Sequence, residues 1–343
     1  MALWDLSAKN NCNVQNLHIA NVKEKNFMKN KFRNSIYGFI IGDIIGVPYE
    51  FKIRKTFNCT DMRASSFHDA HSVLPLGSWS DDTSLMLSVL DSLTIPDACK
   101  KEIYEKFREN AIGWMYHGKF TNHGDDIPYD IGNSCCAGIT AMKLGRVNPK
   151  ADKSVSNGGL MRILPLAFLP YEKDEEILDF IKLFNKDSHN SQISHIGCLI
   201  YIKFAQELVK NSEKIVKISG KSAENALKSA INGISEVYKI PEYQRIWDLS
   251  IVNAAINTIK SSGYIVDTLE ASIWSLMNSV SFEDTVLTAV NLGDDADTIA
   301  AIAGSLAGAL YGYSEIPCSW LNGLAKKEEI EKMCLEFAKG ANE

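Results

Sequence analysis

Asn291-Leu292-Gly293-Asp294-Asp295-Ala296-Asp297-Thr298 runs without a break into a small-residue stretch from Ile299 to Gly312. The second part reads as a helix. Ala300, Gly304 and Gly308 recur every four residues and so line one face. A Gly inside a helix costs about 1 kcal/mol relative to Ala, and close approach of another helix is the usual compensation. Gly38, Gly42 and Gly46 repeat the same spacing near the other end of the chain. The first part reads as an acidic turn at the helix entrance. Three Asp in four residues repel one another at neutral pH, so without a cation they lose stability or one pKa rises. Side chains two apart do not share a face inside a regular helix. At an irregular entrance the backbone can let Asp295 and Asp297 converge.

Helical periodicity continues outward from there. Leu85, Met86, Val89, Leu90 and Leu93 fall on one helix face, as do Ile177, Leu178, Ile181 and Phe184. Leu199 to Leu208, Ala223 to Val237, Ile251 to Ile259 and Leu269 to Val280 are expected to continue the pattern. Period-two alternation is scarce, and Lys52 to Phe57 reads as a loop. No long Pro/Gly/Ser linker divides residues 35–343. The expected fold is therefore all-α, one large helical domain over 35–343, although 343 residues alone suggest two domains.

Composition narrows the function. With 45% apolar and 23% charged residues the chain is globular, not disordered. Its net charge of −6 argues against general nucleic-acid binding, which needs clustered Lys and Arg. Residues 1–34 differ: six basic and two acidic side chains among eight Asn read as a polar basic arm. The eight cysteines form no CxxC pair, which removes zinc-ribbon and thioredoxin readings. Sparse cysteines without a signal peptide point to reduced thiols and a cytoplasmic protein. The longest nearly apolar stretch, Ile299 to Tyr313, is shorter than the ~20 residues of a membrane span.

Three further segments carry chemistry. Ser80-Asp81-Asp82-Thr83 precedes a helix, where Ser80 suits the N-cap and Asp suits the helix dipole. One capping residue would suffice, however. Two carboxylates between two hydroxyls also form a hard oxygen set for a divalent cation. In Gly42-Asp43-Ile44-Ile45-Gly46-Val47-Pro48-Tyr49-Glu50, Asp43 lies in an apolar helix and must be hydrogen-bonded or near a cation. Glu50 follows Pro48 on a loop, a common place for reactive side chains. Ser154-Val155-Ser156-Asn157-Gly158-Gly159 could turn its backbone N–H groups toward an anion, though a plain turn is the commoner case. HExxH, G-x-S-x-G and Rossmann patterns are absent. His189 and His195 are six apart, not at helical metal-ligand spacing.

Taken in order, these segments resemble the ADP-ribosylglycohydrolase family. Gly42 to Glu50 is similar to its G-D-x-x-G-x-x-x-E, Ser80 to Thr83 to its T-D-D-T, and Asn157 to Leu166 to its N-G-[GS]-x-M-R-x-x-P-L. Asn291 to Gly312 is similar to its N-x-G-G-D-A-D-T with the small-residue helix after it, and Gly263 to Leu269 matches a further segment. The resemblance implies an all-α fold with two divalent cations, Mg²⁺ or Mn²⁺, in a cleft. Ser80, Asp81, Asp82, Asp295, Asp297 and Thr298 would be ligands. Glu50 would lie by the metal and the reacting sugar. Ser154, Asn157, Gly158 and Gly159 would hold the pyrophosphate, His189 would contact ADP-ribose, and Tyr264 would line the side facing the modified amino acid. The chain departs at Ser80, at Ser188-His189-Asn190-Ser191, which lacks the family's Pro, and at Asp294, which stands in place of Gly.

The implied reaction is hydrolysis of an N-glycosidic bond through an oxocarbenium-like state. Two cations about 3.5–4 Å apart grip ribose hydroxyls and polarise water, and Asp81 or Glu50 is the base. The expected product is ADP-ribose released from a modified protein side chain, arginine first, by a monomer. The alternative is an immunity protein that neutralises an ADP-ribosylating toxin by hydrolysis or by binding it through residues 1–34.

Overall fold

Glycines on a helix face matter only if another backbone comes against them. In the computed structural model, which describes residues 22–63, 65–66, 73–122, 128, 130–211 and 220–340, the two glycine faces meet each other. A Cβ on Gly38 would lie 2.2 Å from the Gly304 carbonyl oxygen, and one on Gly42 would lie 2.0 Å from that of Ala300. One on Gly46 would lie 2.2 Å from Asp297 Cα. Rising numbers on one helix meet falling numbers on the other, so the pair is antiparallel.

The described residues form thirteen α-helices in the order α1 (Val22–Gly46), α2 (Asp81–Ser92), α3 (Lys100–His117), α4 (Asn133–Leu144), α5 (Asp174–Asn185), α6 (Gln192–Asn211), α7 (Gly220–Asn232), α8 (Gln244–Trp247), α9 (Ile265–Met277), α10 (Phe282–Val290), α11 (Ala296–Tyr311), α12 (Cys318–Gly323) and α13 (Lys327–Gly340). The fold is all-α, as expected. Among the described residues the strands are two residues long, Ser65–Ser66 against Val73–Leu74. Every residue of α11 from Ala296 to Leu310 is buried, the mark of a helix enclosed on all sides. Helices α1, α6, α9 and α10 pack around it, α2 rests on α3, and α6 on α7. The antiparallel pair sets the end of α1, which leads to Glu50, against the start of α11. The active region therefore forms at that end. Among the described residues no helix is long and apolar enough to cross a membrane.

Three expectations shift. The boundary drawn between residues 34 and 35 falls inside α1, which begins at Val22. Phe32 is buried, with its ring centroid 4.3 Å from that of Phe337 and 5.0 Å from that of Phe168. Arg33 pairs with Glu331 at 2.8 Å. The Asn- and Lys-rich composition hid an apolar stripe that joins Phe32 to Ile36 one turn on. Residues 1–21 of the arm lie outside the described residues. Ile251 to Ile259, expected as helix, forms turns and one 3₁₀ segment, with Leu249 at φ +62° and Ile256 half exposed. Helix α7 ends at Asn232, and Val237 is exposed rather than on its apolar face.

Candidate active site and metal centre

Helix α2 starts where its sequence says it should. Ser80 adopts an extended backbone and its Oγ accepts from Asp82 N at 3.2 Å, as an N-cap does. A second cap comes from α1. The Asp43 carboxylate, fully buried, accepts from Ser80 N at 3.1 Å, Thr83 N at 3.0 Å and the Thr83 hydroxyl. Asp43 is therefore hydrogen-bonded, and its role is to fix the turn that presents Asp81 and Asp82.

The second acidic turn is fixed by the loop after α1. Phe51 N donates to Asp294 O at 2.6 Å, and Asp294 N donates to Lys52 O at 2.8 Å. Gly293 and Asp294 both take left-handed backbone, φ +71° and +59°. Asp tolerates that region better than most residues, so it can stand at this position beside Gly293. Asp294 itself is exposed and lines an outer groove, apart from the buried cluster. These bonds bring Glu50, Asp295 and Asp297 together, with one carboxylate oxygen of each within 4.8 Å of the others.

The two turns meet. Thr298 Oγ1 donates to Asp82 Oδ2 at 3.2 Å, and Asn157 Nδ2 donates to Asp295 Oδ2 at 2.5 Å and to Thr268 Oγ1 at 2.9 Å. Above them opens a cleft of about 460 Å³ lined by Glu50, Asp81, Asp82, Asp130, Asp295 and Thr298 on its acidic side. Ser156, Asn157, Gly158, His189 and Gly263 line it too.

This acidic side is electrostatically unstable alone. Burial pushes the Glu50 carboxyl up to about 10, helped by Asp130, Asp295, Asp82 and Asp43. Burial with neighbouring carboxylates also drives Asp81, Asp82 and Asp297 well above the usual range, and Asp130 to about 7. Among the described residues no Lys or Arg pairs with Asp81, Asp82, Asp130, Asp295 or Asp297. Asp82 Oδ1 and Asp297 Oδ2 are buried without a hydrogen-bond partner. Orphaned anionic oxygens of this kind call for a compensating charge. The donors are all carboxylate and hydroxyl oxygens, the set that suits Mg²⁺ or Mn²⁺. The residues present fit divalent metal.

The opposite wall is built by Ser154 to Gly159. Asn157 N donates to Gly263 O at 3.0 Å and Ile265 N to Val155 O at 3.0 Å, pairing this turn with the start of α9. Tyr264 is held there by its main chain, but Gly263, not Tyr264, lines the cleft. Ser154 and Gly159 are not among the lining residues: Gly159 is buried, and half-buried Ser154 is bonded at 2.9 Å to Ser134, which does line the cleft. His189 lines the cleft but is fully buried, with Nε2 2.9 Å from Ser156 Oγ and Nδ1 2.9 Å from Ser188 Oγ. Burial and the Arg162 charge hold its pKa well below the usual value, so the ring is neutral. Arg162 Nη2 donates to Ser188 Oγ at 2.7 Å, which completes a chain from Arg162 to Ser156. A Cβ on Gly158 would lie 2.8 Å from His189 Cε1 and from Cys135 Sγ. Gly158 is thus required by packing.

Asp130 and Ser156 were not singled out from sequence. Ser156 stood inside a quoted segment, whereas Asp130, at φ +54° on the loop before α4, belongs to none of the quoted segments.

The ADP-ribosylglycohydrolase family model matches residues 24–343. The chain belongs to the ADP-ribosylglycohydrolase family. Among similar proteins, "ADP-ribosylarginine hydrolase Tri1" of Serratia proteamaculans (strain 568) is 30% identical over 309 residues, 88% of this chain and 77% of that protein. "ADP-ribosyl-[dinitrogen reductase] glycohydrolase" of Rhodospirillum rubrum is 25% identical over 86% of this chain and 90% of that one. A solved structure titled "ADP-ribosylglycohydrolase-related protein complex" superposes with TM-score 0.70 at 23% identity, covering 92% of this chain and 99% of that one. That likeness supports the ADP-ribosylglycohydrolase fold.

Proposed function

We propose that this ADP-ribosylglycohydrolase releases ADP-ribose from modified protein side chains, arginine first, using two divalent cations. The convergence of Glu50, Asp295 and Asp297 within 4.8 Å beneath the cleft carries the proposal. Ser80, Asp81, Asp82, Asp295, Asp297 and Thr298 would hold the ions. Bound Mg²⁺ or Mn²⁺ would supply Lewis acidity to ribose hydroxyls and to water.

The chain's own groups do the rest. Asn157 and Thr298 hold Asp295 and Asp82 in place by the bonds given above. Water adds to the anomeric carbon of ribose as the carbon–nitrogen bond breaks. One water proton passes to Glu50 or Asp81, both on the cleft surface and both ionised once bound cations offset the neighbouring acids, and the departing guanidine nitrogen takes up a proton. The neutral His189, Ser156 and Gly158 shape the wall that receives the pyrophosphate. Arginine is favoured because the names of two relatives, at 29–30% identity, specify it. The seven described cysteines are free, in keeping with action in the cytoplasm.

Such an activity would reverse the product of an ADP-ribosylating toxin, so an immunity role is compatible with it. Toxin docking by residues 1–34 has narrower support, because Lys31 donates to Ala309 O and Arg33 is paired with Glu331. The test is ADP-ribose release from arginine- and serine-linked substrates in Mg²⁺ or Mn²⁺, with a chelator control. No metal-dependent release from either linkage would refute the proposal.

A further inference from the structure

The loop after Glu50 holds apolar side chains in water. Phe51 is 61% exposed and Ile53 74%. Phe51 has φ +57°, a left-handed backbone that a bulky residue keeps only where its surroundings impose it. The pairing with Asp294 imposes it from one side. Arg54 secures the other: Nε donates to Leu292 O at 2.7 Å, Nη1 to Ile256 O at 2.9 Å and Nη2 to Ile259 O at 2.8 Å. Behind this loop lies a groove of about 660 Å³ whose lining includes Phe51, Ile53, Arg54 and Lys260. Exposed Lys52, Lys55 and Lys260 make this edge basic on a chain of net charge −6. Two acids share the groove wall: Asp267, which accepts from Ser262 Oγ at 2.7 Å, and Asp294, whose charge acts on Arg54. Phe51 lines both the groove and the cleft, so a chain lying in one runs into the other.

Resting on the hydrolase reading above, we propose that this groove docks the polypeptide stretch flanking the ADP-ribosylated residue, and that it selects acidic and apolar flanks. Rigid apolar anchors lose little conformational entropy on binding, and a basic edge beside them steers an acidic partner and sets its register. The acidic cleft then takes only the modified side chain.

Steady-state hydrolysis by the full chain in Mg²⁺ tests this on free ADP-ribosylarginine and on two ADP-ribosylarginine peptides, one with Glu/Leu flanks and one with Lys/Ser flanks. The variants are Ile53→Asp and Lys260→Glu, both at exposed positions where melting points should hold. For the wild type, the Glu/Leu peptide should show the lowest KM. Each variant should raise that KM about tenfold, the scale of losing one interface anchor, with kcat and the free substrate unchanged. Equal KM values for both peptides, or for variants and wild type, would overturn the docking proposal and leave the hydrolase reading standing. Equal loss on peptide and free substrate would overturn it too, since the defect then lies in the cleft. A wild type inert on all three substrates would refute arginine as the linkage and overturn this docking proposal with it, while the serine-linked assay above decides the hydrolase reading.

Discussion

Thr298 Oγ1 donates to Asp82 Oδ2 at 3.2 Å across 216 positions of sequence. This bond joins the start of α2 to the start of α11, and each helix start then offers one buried carboxylate oxygen without a partner, Asp82 Oδ1 and Asp297 Oδ2. Asp82→Ala or Asp297→Ala should lower turnover by more than the ~10–100-fold typical of outer-shell partners of a metal site. Far-ultraviolet circular dichroism should be unchanged. Because each substitution also removes a buried, uncompensated acid, the chelated variants should melt no lower than the chelated wild type. Wild-type hydrolysis by either folded variant would rule out the metal assignment.

Glu50 separates from the metal ligands by a different measurement. Glu50→Gln should lower kcat about 10²–10⁴-fold, the range for losing a general base, while the rise in melting point on adding Mg²⁺ persists. If that rise disappears as well, Glu50 is a ligand rather than a base.

Metal dependence should itself depend on pH. Glu50 and Asp130 have raised pKa values in the fold, to about 10 and about 7, chiefly through burial. A carboxyl raised in the folded state stabilises fully below its unfolded pKa, near 4, and that stability is lost as pH rises through the folded value. Without metal, this contribution falls from about pH 4 to pH 7 for Asp130 and on to about pH 10 for Glu50. Added Mg²⁺ offsets the exposed repulsion, so the melting-point difference between Mg²⁺ and chelator should grow from pH 5 to pH 8.5. A difference that shrinks or stays flat over that range would contradict the picture of a cation-deficient cluster.

Asp43→Asn tests positioning rather than ligation. The amide keeps one acceptor oxygen for Ser80 and Thr83 but removes a charge and puts an NH₂ donor against their N–H groups. Mg²⁺ affinity, read from activity against Mg²⁺ concentration, should weaken about 10–100-fold. An unchanged Mg²⁺ dependence would leave Asp43 with no part in shaping the turn.

Gly42→Ala probes the helix pair. Its Cβ would meet the Ala300 carbonyl at 2.0 Å, and backbone cannot swing away as a side-chain tip can. Overpacking of this kind costs about 1–3 kcal/mol or more, measurable by urea denaturation, and should lower activity as Glu50 and Asp297 move apart.

Much of this site was legible because its parts are local. An N-cap Ser before two Asp, or Asp295 and Asp297 around a helix entrance, can be read from neighbours alone. The glycine periodicity announced close contact, but not that α1 and α11 were each other's partners. Asp130 was invisible because only burial against distant acids gives it meaning. Ser154, Gly159 and Tyr264 belong to the right segments, but it is their neighbours Ser156, Gly158 and Gly263 that line the cleft, a one- or two-residue offset that sequence does not resolve. The basic arm was overdrawn because charge and Asn content outweighed Phe32 and Ile36, which share one buried stripe.

The meeting of Gly42 with Ala300 also has a consequence for the order in which the molecule is made. Helix α1 leaves the ribosome well before α11, which starts at Ala296. Until then the glycine face of α1 has nothing to close against, and Ser80 to Asp82 have no Thr298 to meet. Any nascent or truncated product ending before α11 therefore lacks one of the two acidic turns. No product that stops between α1 and α11 can capture a cation in both turns.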